Sequence, residues 1–76
     1  MLTIDIHAFI LDQLADAEHA ERQAISGPYD PERGITRASL QSYARDCVEL
    51  ATLVQKASPA LARSIIRNHI AGKDGL

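Results

Sequence analysis

Polar and apolar positions alternate along this chain with a helical period, and the longest unbroken run is Thr36–Lys56. With 100° per residue, Leu40, Tyr43, Ala44, Cys47, Val48, Leu50, Ala51 and Val54 fall within about 160° of one another. Gln41, Arg45, Asp46, Glu49, Thr52 and Lys56 take the other side. This pattern predicts a central amphipathic helix over 36–57, with Thr36 as N-cap because its hydroxyl can accept from a free amide of the first turn. Proline ends it. Ser58-Pro59 disfavours helical geometry at residue 58, and the same pair suits the start of a third helix, with Ser58 capping and Pro59 in the first position.

The third helix is predicted over 59–71, with Leu61, Ala62, Ile65, Ile66 and His69 on one face, Gly72 as a left-handed terminator, and a mobile tail over 72–76. A first helix is predicted over 4–25, capped by Thr3 or Asp5. Leu2, Ile6, Phe9, Ile10, Leu14, Ala17, Ala20 and Ala24 share its face, bulky at the start and almost wholly alanine afterwards. Glu18 and Arg22 form an i,i+4 pair on this helix, worth ~0.3–0.5 kcal/mol. Between helices one and two, the segment 26–35 (SGPYDPERGI) is the one clear loop. It is longer than a usual bundle connection, which makes it a packed strap or a recognition element. Tyr29, the loop's aromatic, is read as its anchor against the core, with presentation to a partner as the other role.

The expected fold is all-α, a small three-helix bundle. Helices one and two form a long antiparallel hairpin, the short C-terminal helix folds over one end, and residues 1–76 make a single domain. A chain of 76 residues buries only about 60% of its unfolded surface. Hydrophobic content is 46%, but twelve of those residues are alanine, so bulky core side chains are scarce. The single cysteine allows no intrachain disulfide, and no Cys/His constellation offers a structural zinc. Self-association is the remaining common remedy, so a homodimer is expected. Leu53, off the main stripe, is a candidate contact with Ile66 and Ile70.

The net charge of −2 is unevenly spread. Residues 1–25 carry Asp5, Asp12, Asp16, Glu18 and Glu21 against Arg22, a balance of −4; residues 56–73 carry Lys56, Arg63, Arg67 and Lys73 without an acid, a balance of +4. The first and last helices are expected to attract one another, within a bundle or across a dimer; a basic surface for an acidic partner is the alternative. The N-terminus shows no targeting signal, and no run reaches the roughly 18–20 apolar residues that span a bilayer. The expectation is a cytoplasmic chain, without a membrane partner, in which Cys47 is a small core residue. Arginine outnumbers lysine six to two, the usage of a GC-rich genome such as a bacterium or its phage.

Candidate chemistry is sparse. Asp5, Asp12, Asp16, His19 and Gln23 share about 60° of the first helix, and carboxylates and imidazole one turn apart can converge on a divalent metal. One helical face supplies only two or three ligands, so a solvated acidic face is the preferred reading and no metal site is assigned. A Cys47–His69 pair could in principle serve nucleophilic catalysis, but Cys47 sits on the apolar stripe, where its thiol resists ionisation. No glycine-rich phosphate loop occurs. No catalytic residue, cofactor or small-molecule substrate is therefore assigned, and an enzyme is not expected.

Residues 49–68 resemble the second half of a helix-turn-helix, in which Arg63, Ser64, Arg67 and Asn68 would face bases or phosphates. The segment departs from that pattern: Gln55 and Lys56 stand where a turn glycine belongs, the Ala51–Ser58 spacing is about one residue long, and the preceding helix exceeds twenty residues. The leading functional expectation is a protein–protein interaction or regulatory module, encoded by a host or a phage, acting through an exposed helical face. Its candidate contacts are Leu53, Ile66, Ile70, Tyr29, Arg63 and Arg67. A DNA-binding regulator built on 49–68 is the alternative.

Overall fold

A computed structural model describes residues 4–74, and these form three α-helices: α1 (Ile6–Ser26), α2 (Arg37–Lys56) and α3 (Pro59–Asp74). Leu2 and Thr3, given above to the first helix and its cap, and Gly75-Leu76 of the tail lie outside the described residues. Asp5 caps α1, accepting from the Ala8 amide at 3.0 Å. Thr36 and Ser39 form a reciprocal capping box at the start of α2: the Ser39 amide donates to Thr36 Oγ1 at 3.1 Å, and the Thr36 amide to Ser39 Oγ at 2.8 Å. Ser58 starts α3, its Oγ accepting from the Leu61 amide at 3.3 Å.

The third helix is longer than expected. It runs through Gly72 to Asp74, and Gly72 does not adopt positive φ. A glycine terminates a helix when the chain must turn left-handed there, and in a helix interior it merely weakens it by roughly 1 kcal/mol. Nothing forces such a turn at residue 72, so residues 72–74, expected in a tail, are helical.

The loop is a packed strap. Gly27, at φ 74°, closes α1 by donating its amide to the Gln23 carbonyl at 2.7 Å. Asp30 and Ile35 exchange backbone hydrogen bonds at 2.7 and 2.8 Å around a single 3₁₀ turn, Pro31–Arg33, which Gly34 closes in left-handed geometry. The Ala24 carbonyl, left free at the end of α1, accepts from both the Tyr29 hydroxyl and Arg37 Nε, the latter at 3.2 Å. Gln23 Nε2 donates to the Pro28 carbonyl at 3.0 Å. Tyr29 thus anchors its loop to α1.

Two clusters make the core. Along the hairpin, Ala17 and Ala20 of α1 meet Ala44 and Cys47 of α2. At the other end Val54, Ala62 and Ile66 join the three helices, flanked by Ile4, Ile6, Phe9, Ile10, Leu50, Ala57 and Ile65. The α1 stripe is rotated from its expected position. Gln13 is buried, whereas Leu14 is 43% exposed, because Ile6, Phe9, Ile10, Gln13, Ala17, Ala20 and Ala24 trace the tighter line along the helix. On α2 the buried residues are Ala44, Cys47, Ala51 and Val54; Tyr43 and Val48, expected on the buried stripe, lie on its exposed flanks. Ala20 faces a seam with no room for growth, so Ala20→Leu is expected to lower the unfolding free energy by about 1–3 kcal/mol in urea titration.

Candidate interaction surfaces

Six of the nine buried hydrophobic residues are alanine, and the largest fully buried side chains are Ile66 and Val54. Against these stand nine large apolar residues at least 40% exposed: Leu11, Leu14, Ile25, Tyr29, Tyr43, Val48, Leu53, Leu61 and Ile70. Single exposed aliphatics are ordinary on a protein surface. Here they outnumber the large side chains sealed inside, and that inversion directs attention to surfaces rather than to an enclosed site.

A mainly apolar concavity lies where the N-terminal turns of α1 meet the C-terminal half of α3. It is a groove of about 540 Å³ with Ile4, Ala8, Phe9, Ile66, Ile70 and Ala71 on its walls and floor. Asp5, Asp12 and Arg67 add its charged groups. Of the expected contact residues, the fold brings Ile66, Ile70 and Arg67 together here. Ile66 must be corrected, however: at 2% exposure it is a core residue, and it reaches the groove only as floor. Ile70, 46% exposed, is the accessible aliphatic. Leu53, 57% exposed, lies outside the groove, as does the exposed Arg63.

The acidic face of α1 divides among separate tasks. Asp5 caps the helix, Gln23 holds the loop, and Asp12 borders the groove. Among the described residues no three His, Cys, Asp or Glu side chains gather where they could hold a metal ion. Cys47 and His69 are not brought together: the thiol packs with Ala17, Ala20 and Ala44, while His69 meets Phe9 edge-on, ring centroids 5.7 Å apart at 77°. Among the described residues His69 Nε2 is buried without a hydrogen-bond partner. Arg63 and Arg67, given above to DNA, are both exposed on α3, but Arg67 shares its groove with two carboxylates. That mixture would repel as well as attract a phosphate backbone. Ion pairing between α1 and α3 does not occur among the described residues; the pairs formed are Arg22–Glu18 and Arg33–Asp30, each local.

The ionisation of Tyr43 is displaced. Side-chain hydrogen bonding with Cys47 raises its pKa above the ordinary phenol value of 10.0, helped by desolvation and by the charges of Cys47 and Asp16. The folded chain therefore holds this proton more tightly than the unfolded chain, so the contribution is fully present below pH 10 and fades as pH rises through the folded value.

Sequence reading passed over Leu11 and Ile25 as surface residues. The signal was available, since both stand off the apolar stripe of α1 as Leu53 stands off that of α2. Compared with family models, curated proteins and solved structures, the chain finds no match.

Two outcomes follow from these sites. Replacing His69 by leucine removes an orphaned buried nitrogen while retaining apolar bulk, so thermal unfolding should show a gain of about 1 kcal/mol. Wild-type stability should decline as pH rises above 10, and Tyr43→Phe should flatten that loss in urea titrations across the alkaline range.

Proposed function

We propose that the chain is a protein–protein interaction module, a regulator or inhibitor of a larger protein rather than an enzyme, which docks an amphipathic helix of its partner. The observation that supports this is the inverted distribution of large apolar side chains, more of them on the surface than fully buried. The α1–α3 groove has the form such a helix needs: aliphatic walls along two helices, with Ile70 accessible and charges of both signs around it. A partner helix would set two or three apolar anchors over Phe9, Ile66 and Ile70, and its affinity would come from those anchors. Asp12 and Arg67 would fix its register, since charges at an interface specify orientation more than they add affinity. Self-association accompanies this role, and a cytoplasmic setting suits a chain whose single thiol lies in the core. Among the described residues no helix is long and apolar enough to cross a membrane.

The test is affinity capture from the source cell with wild type and Ile70→Glu side by side, followed by titration of the recovered protein. A partner retained by wild type should lose at least ~2 kcal/mol of affinity for the variant. Equal binding by both would remove the groove from the reading. Retardation of mixed-sequence DNA at low salt, abolished by Arg63→Ala with Arg67→Ala, would replace it by the nucleic-acid one.

A further inference from the structure

The face of the hairpin opposite α3 carries its own pattern. On α1, Leu14, Glu21 and Ile25 follow i, i+7, i+11 spacing, about a quarter turn from the buried stripe. Glu21 shares a shallow depression with Gln41, Arg45, Val48 and Glu49 of α2, so these two flanks belong to one side of the hairpin. Asp12, which borders the α3 groove, lies about 160° around α1 from Leu14. This second side therefore has no third helix over it. Leu14 is 43%, Ile25 79% and Val48 40% exposed along it.

We infer that this open face receives a second copy of the chain, α1 of each copy lying on α2 of the other to complete a four-helix bundle. The inference rests on the reading of the chain as an associating module and locates its self-contact. Surface area carries the first part of the argument. The chain exposes 5775 Å², against about 4,600 Å² for a compact monomer of 8.3 kDa. Its radius of gyration is 13.9 Å, where about 11 Å is usual for this length. The surplus, about 1,200 Å², exceeds the roughly 800 Å² that one partner gives to a standard interface.

Charge and register carry the second part. Within the chain Glu21 and Arg45 lie on the same depression without forming an ion pair. Packing of Ala17 and Ala20 against Ala44 and Cys47 sets the levels of the two helices. A two-fold axis running along the hairpin then brings Leu14 of one copy level with Val48 of the other, and Glu21 level with Arg45, each within about 3 Å along the axis. Apolar meets apolar and acid meets base, twice over. The α3 side offers no equivalent, because α3 blocks a flat approach there.

Sedimentation equilibrium of the full chain, from micromolar to millimolar concentration, tests this. Wild type should reach twice the 8.3 kDa chain mass, and Val48→Lys should weaken association about 30-fold or more. Leu53→Lys and Ile70→Glu, on other surfaces, should leave it unchanged. Glu21→Arg and Arg45→Glu, both at exposed positions, should each weaken it about 2- to 5-fold, and the double variant should restore it. The charge reversals keep the test open if Val48→Lys fails to fold. A wild type that stays at one chain mass overturns the proposal, as does a dimer dissolved by Leu53→Lys but not by Val48→Lys. A monomeric chain whose partner capture is abolished by Val48→Lys would give this face to that partner and overturn self-docking. Survival or loss of the dimer leaves the α1–α3 groove untouched; that reading stands or falls with Ile70→Glu.

Discussion

Small side chains along the α1–α2 seam set everything else in this molecule. With Ala17, Ala20 and Ala24 facing Ala44, Cys47 and Ala51, the two helices can approach closely, and dispersion between their backbones and methyl groups replaces the bulk of a leucine core. The consequence is geometric. A thin seam removes little apolar area per residue from water, and at roughly 25 cal/mol per Å² the gain is correspondingly small. Larger aliphatic residues cannot enter a seam of that depth, so they stand on its flanks.

The hairpin is consequently fixed at its ends. At one end the strap delivers two donors, from Tyr29 and Arg37, to the Ala24 carbonyl, and the exchanged hydrogen bonds of Asp30 and Ile35 keep the loop in shape. At the other, α3 contributes Ala62 and Ile66 to a cluster with Val54, around which Phe9, Ile10 and Leu50 are partly buried. That end holds the two bulkiest sealed side chains, Val54 and Ile66. The alanine seam between the ends is a spacer whose smallness allows both fixings to act on the same pair of helices.

Much of this was legible in residue order. Thr36, Ser58 and Pro59 mark helix boundaries through chemistry that does not depend on the rest of the fold, so those boundaries were readable to within a residue. The bulky-then-alanine gradient of α1 announced a seam of two characters. What failed were judgements that depend on neighbours. Gly72 reads as a stop only if the chain must turn there, and it does not. Leu14 and Gln13 are one residue apart, and only the direction of α2 decides which of them is covered. Ile66 and Ile70 are i,i+4 neighbours on a short helix, and a modest rotation of α3 exchanges core for surface. The candidate surfaces were legible as an excess of aliphatic residues off the stripes, but their grouping into a groove and an opposite flat face required the crossing of α3 over α1.

That crossing gives the hairpin two unlike sides, and the difference has thermodynamic weight. A chain with so thin a core has little stability of its own to spare. Any species that binds the folded form stabilises it in proportion to the logarithm of its concentration over its dissociation constant. A second copy on the open face would thus tie folding to protomer concentration, while a helix in the groove would tie it to the supply of partner. Because the groove is built from α1 and α3, and the open face from α1 and α2, both ligands would draw on the ordering of α1. Occupancy of either side would then lower the ordering cost of the other, coupling them without any rearrangement of the fold.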